Sequence, residues 1–199
     1  DIPLFKQVKK GAYDLLHVIN DVLELSKIEL GKMEVKEEII CAKSFFEDLF
    51  DFYRPLFKKK KLTFKTYTDL KSSHLSVDAK KLTQVLHNLL NNAYKFTSIG
   101  YIAFHAIEEV ENDTKSVLKL EIKDTGIGIK KSDIPHIFSP FETKHDHLSN
   151  HLGGTGLGLT ISKNIINALK GHIKVKSDVG KGTVFKLEIP VERCYEIKK

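Results

Sequence analysis

Three stretches of the chain hold residue types that do chemistry only in company. In His87-Asn-Leu-Leu-Asn-Asn-Ala-Tyr-Lys-Phe-Thr97, Asn88 and Asn92 stand four apart and Lys95 a further three, so all three share one face of a helix. Carboxamides are costly to bury without partners, and two of them with a lysine beside an apolar stripe mark either a surface edge or a polar pocket. In Lys123-Asp124-Thr-Gly126-Ile-Gly128-Ile129 a carboxylate closes an apolar strand and glycines follow it. That combination brings an acceptor and bare backbone close to a flat hydrogen-bond donor, although Asp-Thr-Gly also makes ordinary turns. Gly153-Gly154-Thr155-Gly156-Leu157-Gly158-Leu159 leads into a helix, where exposed N–H groups and the helix dipole suit an anion. The stretch lacks the Gly-Lys-[Ser/Thr] of a P-loop, and a polar loop stands where a dinucleotide fingerprint needs a strand. By itself it could be a flexible connection.

The elements that must position these groups can be read from periodicity. Val8, Ala12, Leu15, Ile19 and Val22 are spaced four, three, four, three, with Leu16 and Leu23 widening the stripe; this predicts a helix over 4–30 that packs along another long helix, or folds back on its own domain. The pattern stops at Gly31. Residues 42–60 carry Phe45, Phe46, Leu49, Phe50, Phe52, Tyr53, Leu56 and Phe57 at helical spacing, read as core, with Pro55 expected to kink the helix or limit its regularity. Alternation predicts strands at 62–67, 75–77, 100–109, 115–123, 172–177 and 183–190. Helices are expected at 79–97, capped by Asp78 and facing inward with Leu82, Val85, Leu86, Leu89, Leu90 and Ala93, and at 157–170, ending at Gly171. Turns fall at 111–113 and 178–182, and residues 139–153 read as a polar loop. Helices mixed with antiparallel hairpins give an α+β class, one sheet with helices on one face.

Composition narrows the classes. The 199 residues are 41% hydrophobic and 29% charged, as in a globular protein, and no apolar run approaches the roughly 18 residues of a spanning helix. Lysines interrupt the first ten positions, so a signal peptide is not expected, and a cytoplasmic location is. Cys41 and Cys194 match no metal or redox spacing. The net charge of +6 is spread over scattered lysines; the run Lys58–Lys61 has no interleaved aromatics, reads as solvated surface, and gives no case for nucleic acid. A phosphate-bearing small ligand suits a mild basic excess equally well.

Together and in this order, the three stretches resemble the GHKL ATP-binding superfamily and, within it, the sensor histidine kinases. Asn88–Thr97 is similar to the N box, Asp124–Ile129 to the G1 box, Phe138-Ser-Pro-Phe141 to the F box, Gly153–Leu159 to the G2 box, and Gly180-Lys-Gly-Thr183 to the closing glycine motif. Ile19-Asn-Asp-Val-Leu-Glu-Leu-Ser-Lys-Ile-Glu-Leu-Gly31 resembles the end of the second dimerisation helix of hybrid-type kinases. The resemblance implies a two-layer α/β sandwich of the Bergerat type, with a mixed, mainly antiparallel sheet and helices on one face. A long N-terminal helix would precede it, residues 1–31 being part of a dimerisation helix and 32–199 the catalytic domain. It implies ATP and Mg²⁺ as cofactors. Asn92 would give its amide oxygen to the metal, a hard cation that takes oxygen ligands. Asp124 would accept from the adenine amino group, with Gly126, Gly128, Ile129 and Thr183 around it; Lys95 would face phosphates or ribose, and Phe96 the base. Gly154, Thr155, Gly156, Leu157 and Gly158 would hold the phosphates. Residues 139–153 would be a lid carrying Phe141 and Lys144, the latter reaching the γ-phosphate. The catalytic set implied is Asn88, Lys95 and Lys144. Asn88 stands where hydrolytic branches of the superfamily carry a water-activating glutamate, and an amide is no such base, which favours phosphoryl transfer to a protein.

The acceptor is what the sequence lacks. No Ser-His-Glu-[Leu/Ile]-Arg-Thr-Pro-like motif is present; His17 reads as a packed or partly exposed helix residue, and His87 as a pocket edge or scaffold. His145, His147 and His151 raise zinc, but their irregular spacing in a polar loop argues for lid residues instead. The chain is therefore expected to be a catalytic fragment acting on a histidine-bearing dimerisation segment outside it, for relay to a response regulator, within a full-length homodimer. Its N-terminal helix, short of partners, should self-associate weakly or repack. The competing readings are a pseudokinase or interaction module, or another GHKL ATPase.

Overall fold

The structure, a computed structural model, describes residues 2–141 and 155–194, with the backbone alone at residues 2–7, 10, 13, 14 and 17. In chain order the elements are α1 (Ile2–Glu29), β1 (Glu38–Cys41), α2 (Ala42–Lys59), β2 (Thr63–Asp69), β3 (His74–Val77), α3 (Ala79–Phe96), β4 (Tyr101–Val110), β5 (Lys115–Asp124), α4 (Gly158–Ala168), β6 (His172–Asp178) and β7 (Gly182–Cys194). The strands form one sheet in the order β1-β3-β7-β5-β4-β2, with β6 on the free part of β7. β7 is long enough to serve both sides. One edge pairs with β5 over Val184–Glu192, and the other takes first β6 and then β3. Among the described strands only β2–β4 is parallel, with α3 in the crossover; β4–β5 and β6–β7 are hairpins, and the other pairings are antiparallel too.

The α+β architecture expected from the residues is therefore present, with α2, α3 and α4 on one face of the sheet. β5 shows why: Ser116, Leu118, Leu120, Ile122 and Asp124 point to the buried face, while Lys115, Val117, Lys119, Glu121 and Lys123 alternate outward. α2 delivers Phe46, Phe50, Tyr53 and Phe57 to the core, where Phe50 meets Phe104 edge-on at 5.2 Å between centroids and Phe57 meets Phe64 at 4.8 Å. Such pairs contribute about 0.5–1.5 kcal/mol each beyond their buried area. The aromatic segment is core, as its spacing required. α3 starts where Asp78 caps it: Oδ1 accepts from the Lys81 N–H at 2.9 Å and Oδ2 from the Lys36 N–H at 2.8 Å, so one side chain ties the α1–β1 link to the helix that carries the first motif.

Four local readings change. β1 was not visible, since Glu37-Glu-Ile-Ile-Cys41 has no alternation and its pairing with β3 alone makes it a strand. α2 runs unbroken through Pro55, which sits on the solvent face, where the carbonyl left without its helical donor is open to solvent. Lys60 is not free surface: its ammonium reaches the Tyr94 carbonyl and lies 4.6 Å from the Tyr94 ring centroid, and this desolvation pushes its pKa down. β7 continues past residue 190 to Cys194 because β3 pairs with its end.

α1 bears directly on the site. Its heptad stripe is bare, with Val8 65% and Leu15 61% exposed. A different face, Asp21, Glu24, Leu25 and Ile28, is the one covered by the rest of the molecule. The helix does touch its own domain, but not through the stripe that was read from the sequence.

Candidate nucleotide-binding site

The motif residues converge at one end of the sheet, where α3 ends, β5 ends and α4 begins. Asp124 is the last residue of β5 and is buried. Its Oδ1 accepts the Gly126 N–H at 2.8 Å and, more loosely, the Thr183 N–H at 3.3 Å. Burial pushes its carboxyl above the ordinary carboxylate range; the N–H groups of Gly126 and Thr183 and the nearby Thr97 hydroxyl pull the other way without prevailing. That hydroxyl, at the C-cap of α3, is buried and makes no hydrogen bond of proper geometry with any protein atom. Both backbone bonds go to Oδ1, so Oδ2 remains to accept a further donor.

Glycine is required at two of these positions by space. A Cβ on Gly126 would lie 2.3 Å from the Phe96 carbonyl oxygen and 2.9 Å from Asp124 Oδ1. The loop after β5 is thus pressed against the end of α3, a contact sealed by the Ile127 N–H donating to the Phe96 carbonyl at 3.2 Å. A Cβ on Gly158 would lie 2.3 Å from Asn88 Oδ1. The first turn of α4 therefore rests on the first amide of the N box, and Asn88 Nδ2 donates to the buried Ser162 hydroxyl at 2.8 Å.

The remaining residues fall into place around these contacts. Asn92, half-buried one turn beyond Asn88, has no side-chain hydrogen bond among the described residues. Lys95 is half-buried with its ammonium 4.7 Å from the Phe96 ring centroid, and desolvation pushes its pKa down. Thr183 is buried, its hydroxyl 3.0 Å from that of Ser177, and Ser177 also receives the Ile129 N–H at 2.8 Å. Gly128 packs the loop onto the β6–β7 hairpin, against Asp178. Leu157 is fully buried beneath the start of α4, with Thr155 and Gly156 half-exposed before it. In the F box, Phe138 packs on the core and its carbonyl accepts from the Thr160 hydroxyl at 2.9 Å, while Phe141 is 65% exposed. Lys144 and Gly154, and the histidines 145, 147 and 151, lie outside the described residues; among the described ones no three His, Cys, Asp or Glu side chains gather to hold a metal.

Sequence reading missed three participants. Ser162 could have been found, since it stands four residues after Gly158 on the same helix face. Ser177 and Asp21 come from distant elements, and nothing local marks them. Asp21 receives the Thr155 hydroxyl at 2.9 Å across 134 positions of chain. His87 is the scaffold residue that was one of its two readings: its Nδ1 is 2.8 Å from the buried Tyr53 hydroxyl, which also reaches Asn91, and burial lowers its pKa.

Comparison with known proteins agrees with this geometry. Residues 77–193 match the family described as histidine kinase-, DNA gyrase B-, and HSP90-like ATPase. The chain is 38% identical over 188 residues to the autoinducer 2 sensor kinase/phosphatase LuxQ of Vibrio vulnificus strain YJ016, a match covering 92% of this chain and 22% of LuxQ. It is 35% identical over 194 residues to the sensor protein GacS of Pseudomonas syringae pv. syringae, covering 96% of this chain and 21% of GacS. It thus spans about a fifth of the length of these relatives. The Acinetobacter baumannii histidine kinase AdeS superposes with a TM-score of 0.72 at 28% identity, over 95% of this chain and 84% of that one. Full-length ShkA, solved as a crystal structure in complex with AMPPNP, superposes with a TM-score of 0.80 at 22% identity, over 97% of this chain and 39% of that one, and shares the fold. By the match over residues 77–193, the chain belongs to the histidine kinase-, DNA gyrase B- and HSP90-like ATPases, and its relatives there are sensor histidine kinases.

Proposed function

We propose that this chain is the catalytic part of a protein-histidine kinase, binding Mg-ATP for transfer of the γ-phosphoryl group to a histidine outside the chain. The observation that carries the nucleotide reading is Asp124: a buried carboxylate with its charge disfavoured, one oxygen spent on two backbone N–H groups, the other left over, and an unbonded hydroxyl of Thr97 beside it. A flat ring that offers an amino donor and a ring acceptor satisfies both.

Mg-ATP would supply the phosphoryl group and the metal charge that offsets its phosphates. The protein's part is binding and positioning. Phe96 and Lys95 stand at the end of α3 beside the Asp124 pocket. Gly126, Gly128, Ile129 and Thr183 shape that pocket. Asn92, with its amide unengaged, is the residue to hold Mg²⁺ through oxygen. Thr155, Gly156, Leu157 and Gly158, with Gly154, present backbone at the start of α4, where the helix dipole favours anions. Phe141 and Lys144 belong to the segment that would cover the phosphates. Asn88, held by Ser162, has no carboxylate with which to take a proton from water, which favours transfer over hydrolysis.

The bare stripe of α1 suits packing in a homodimeric helical bundle, with residues 1–31 as its fragment and 32–199 as the catalytic domain. The partners would be that bundle's histidine-bearing segment and then a response regulator's receiver domain. No described helix is long and apolar enough to cross a membrane. The test is Mg-dependent binding of an ATP analogue by the wild type, Asn92→Ala and Asp124→Asn, followed by addition of a histidine-bearing dimerisation segment and assay for acid-labile phosphate. Absence of nucleotide binding by the wild type sinks the reading. Binding without transfer to several acceptor segments moves the chain to the pseudokinases.

A further inference from the structure

Resting on the nucleotide reading above, we propose that Asp21 is an affinity-setting residue of the site: its carboxylate, carried in by α1, opposes the phosphates of the nucleotide, so that docking of α1 and binding of a triphosphate work against each other.

The covered face of α1 is Asp21, Glu24, Leu25 and Ile28, residues three and four apart. Leu25 is buried. On one side of it Glu24 pairs with Lys81 in the first turn of α3, both side chains being only about a fifth exposed. On the other side Asp21 Oδ2 accepts the Thr155 hydroxyl at 2.9 Å, and the same hydroxyl oxygen accepts the Leu157 N–H at 3.2 Å. Asp21 is thereby joined through one threonine to the backbone that opens α4 at Gly158. That is the positive end of the helix, and the segment whose N–H groups would meet phosphate. A carboxylate there is an internal anion standing at the threshold of an anion site.

Two consequences separate this from a merely structural contact. An incoming triphosphate adds several negative charges near Asp21, and unlike adenosine it must pay for that proximity. The grip is also small among the described residues: two polar contacts, Leu25 and the half-buried Ile28 at one end of a 28-residue helix on which Val8, Leu15, Leu16, Ile19, Val22 and Leu23 stay exposed. A contact of that size can be displaced by a ligand that binds better without it, and the coupling is reciprocal: whatever α1 does to ATP, ATP does to α1.

The experiment measures affinity for Mg-ATP, Mg-ADP and adenosine by calorimetry or displacement of a fluorescent nucleotide, using this chain as wild type, Asp21→Asn and Asp21→Ala. Asp21→Asn keeps a hydrogen-bond acceptor for Thr155 and removes only the charge. Both variants are expected to bind ATP about five- to fiftyfold more tightly, within the usual range of coupling between linked sites. ADP should gain less and adenosine nothing, and the ATP gain should shrink as salt is raised. Hydrogen exchange over residues 19–29 should rise when ATP binds the wild type. The inference is overturned if the wild type binds ATP and Asp21→Asn binds it no more tightly, or if adenosine gains as much as ATP. A loss of ATP affinity in Asp21→Ala with none in Asp21→Asn also overturns it, since Asp21 would then be holding Thr155 for the nucleotide. If neither the wild type nor any variant binds nucleotide, the nucleotide reading fails and takes this inference with it.

Discussion

Glu108, near the far end of β4, offers the sharpest test of the energetics. It is buried, and its carboxylate accepts four hydrogen bonds: the Lys71 and Ser72 N–H groups at 2.7 Å each, the Ser72 hydroxyl at 2.6 Å and the Ser116 hydroxyl at 2.8 Å. Arg193 on β7 stands 3.4 Å away and donates from the same nitrogen to the Ser72 hydroxyl at 2.8 Å. One side chain thus ties the β2–β3 link, β5 and the end of β7 to β4. Burial alone would raise its carboxyl pKa; the hydrogen bonds from Ser72, Ser116 and Lys71 outweigh it, and the net effect is a value below the ordinary carboxylate range. In Glu108→Ala the donors of Ser72 and Ser116 lose their acceptor and Arg193 loses its counter-charge. Breaking a buried charged pair costs about 3–5 kcal/mol, and the separate bond losses overlap with that figure rather than adding to it. At about 2–4 °C per kcal/mol for a domain of this size, the melting temperature should fall by roughly 6–20 °C.

The acid limb supplies a second, independent readout. A carboxylate whose folded pKa is depressed contributes stability that is fully present above its unfolded pKa and is lost as the pH falls through the folded one. Urea unfolding across this acid range should therefore show a steeper loss of stability in the wild type than in Glu108→Gln, which has no such titration. The nucleotide affinity of Glu108→Gln should not change, because Glu108 lies six positions along β4 from Ile102, the partner of Asp124, or about 20 Å along the strand. A melting temperature within 2 °C of wild type for Glu108→Ala, or identical acid limbs for wild type and Gln, would refute the reasoning.

Asp124→Asn should abolish measurable nucleotide binding while leaving the melting temperature at pH 7 unchanged or higher. Its carboxyl is raised by burial, so the charged form is penalised at neutral pH, and the wild type should gain stability as the pH falls toward the folded pKa. Gly158→Ala puts a Cβ 2.3 Å from Asn88 Oδ1 and must push that amide off Ser162; at least a tenfold loss of ATP affinity is expected, about 1.4 kcal/mol, read by calorimetry alongside an intact circular dichroism spectrum. Leu15→Lys with Ile19→Lys should remove the weak, concentration-dependent self-association expected of the exposed stripe, as followed by light scattering, and should leave nucleotide affinity unaltered.

What could be read from the sequence was whatever repeats or sits close together along the chain. The inward faces of α2 and α3, the Asp78 cap and the alternation of β5 are local periodicities. The site's first outline came from short boxes whose members lie within ten residues of one another. What escaped reading depends on register and approach. β1 exists only because β3 offers an edge, and β7 reaches Cys194 only because β3 pairs with its end. Lys60 in its lysine run gives no hint that Tyr94 lies within reach. Asp21 fell between two readings of α1, a stripe for another helix or a helix folded on its own domain; the stripe is exposed, and Asp21 lies on the different face that meets the domain.

Two buried carboxylates of the same sheet show why the functional end could still be singled out once coordinates existed. Glu108 and Asp124 are both almost removed from solvent, yet their pKa values move in opposite directions. Glu108 is saturated by four donors and an arginine, as a structural carboxylate must be if its charge is to persist. Asp124 accepts two backbone bonds, one of them long, both on Oδ1, and the buried Thr97 hydroxyl near it makes no hydrogen bond of proper geometry. A fold that satisfies one carboxylate this fully has the means to satisfy the other. Among the described residues, a spare carboxylate oxygen and a buried hydroxyl at this end of the sheet suit a flat base, and the N-terminus of α4 suits phosphates, which together is the chemistry of a nucleotide.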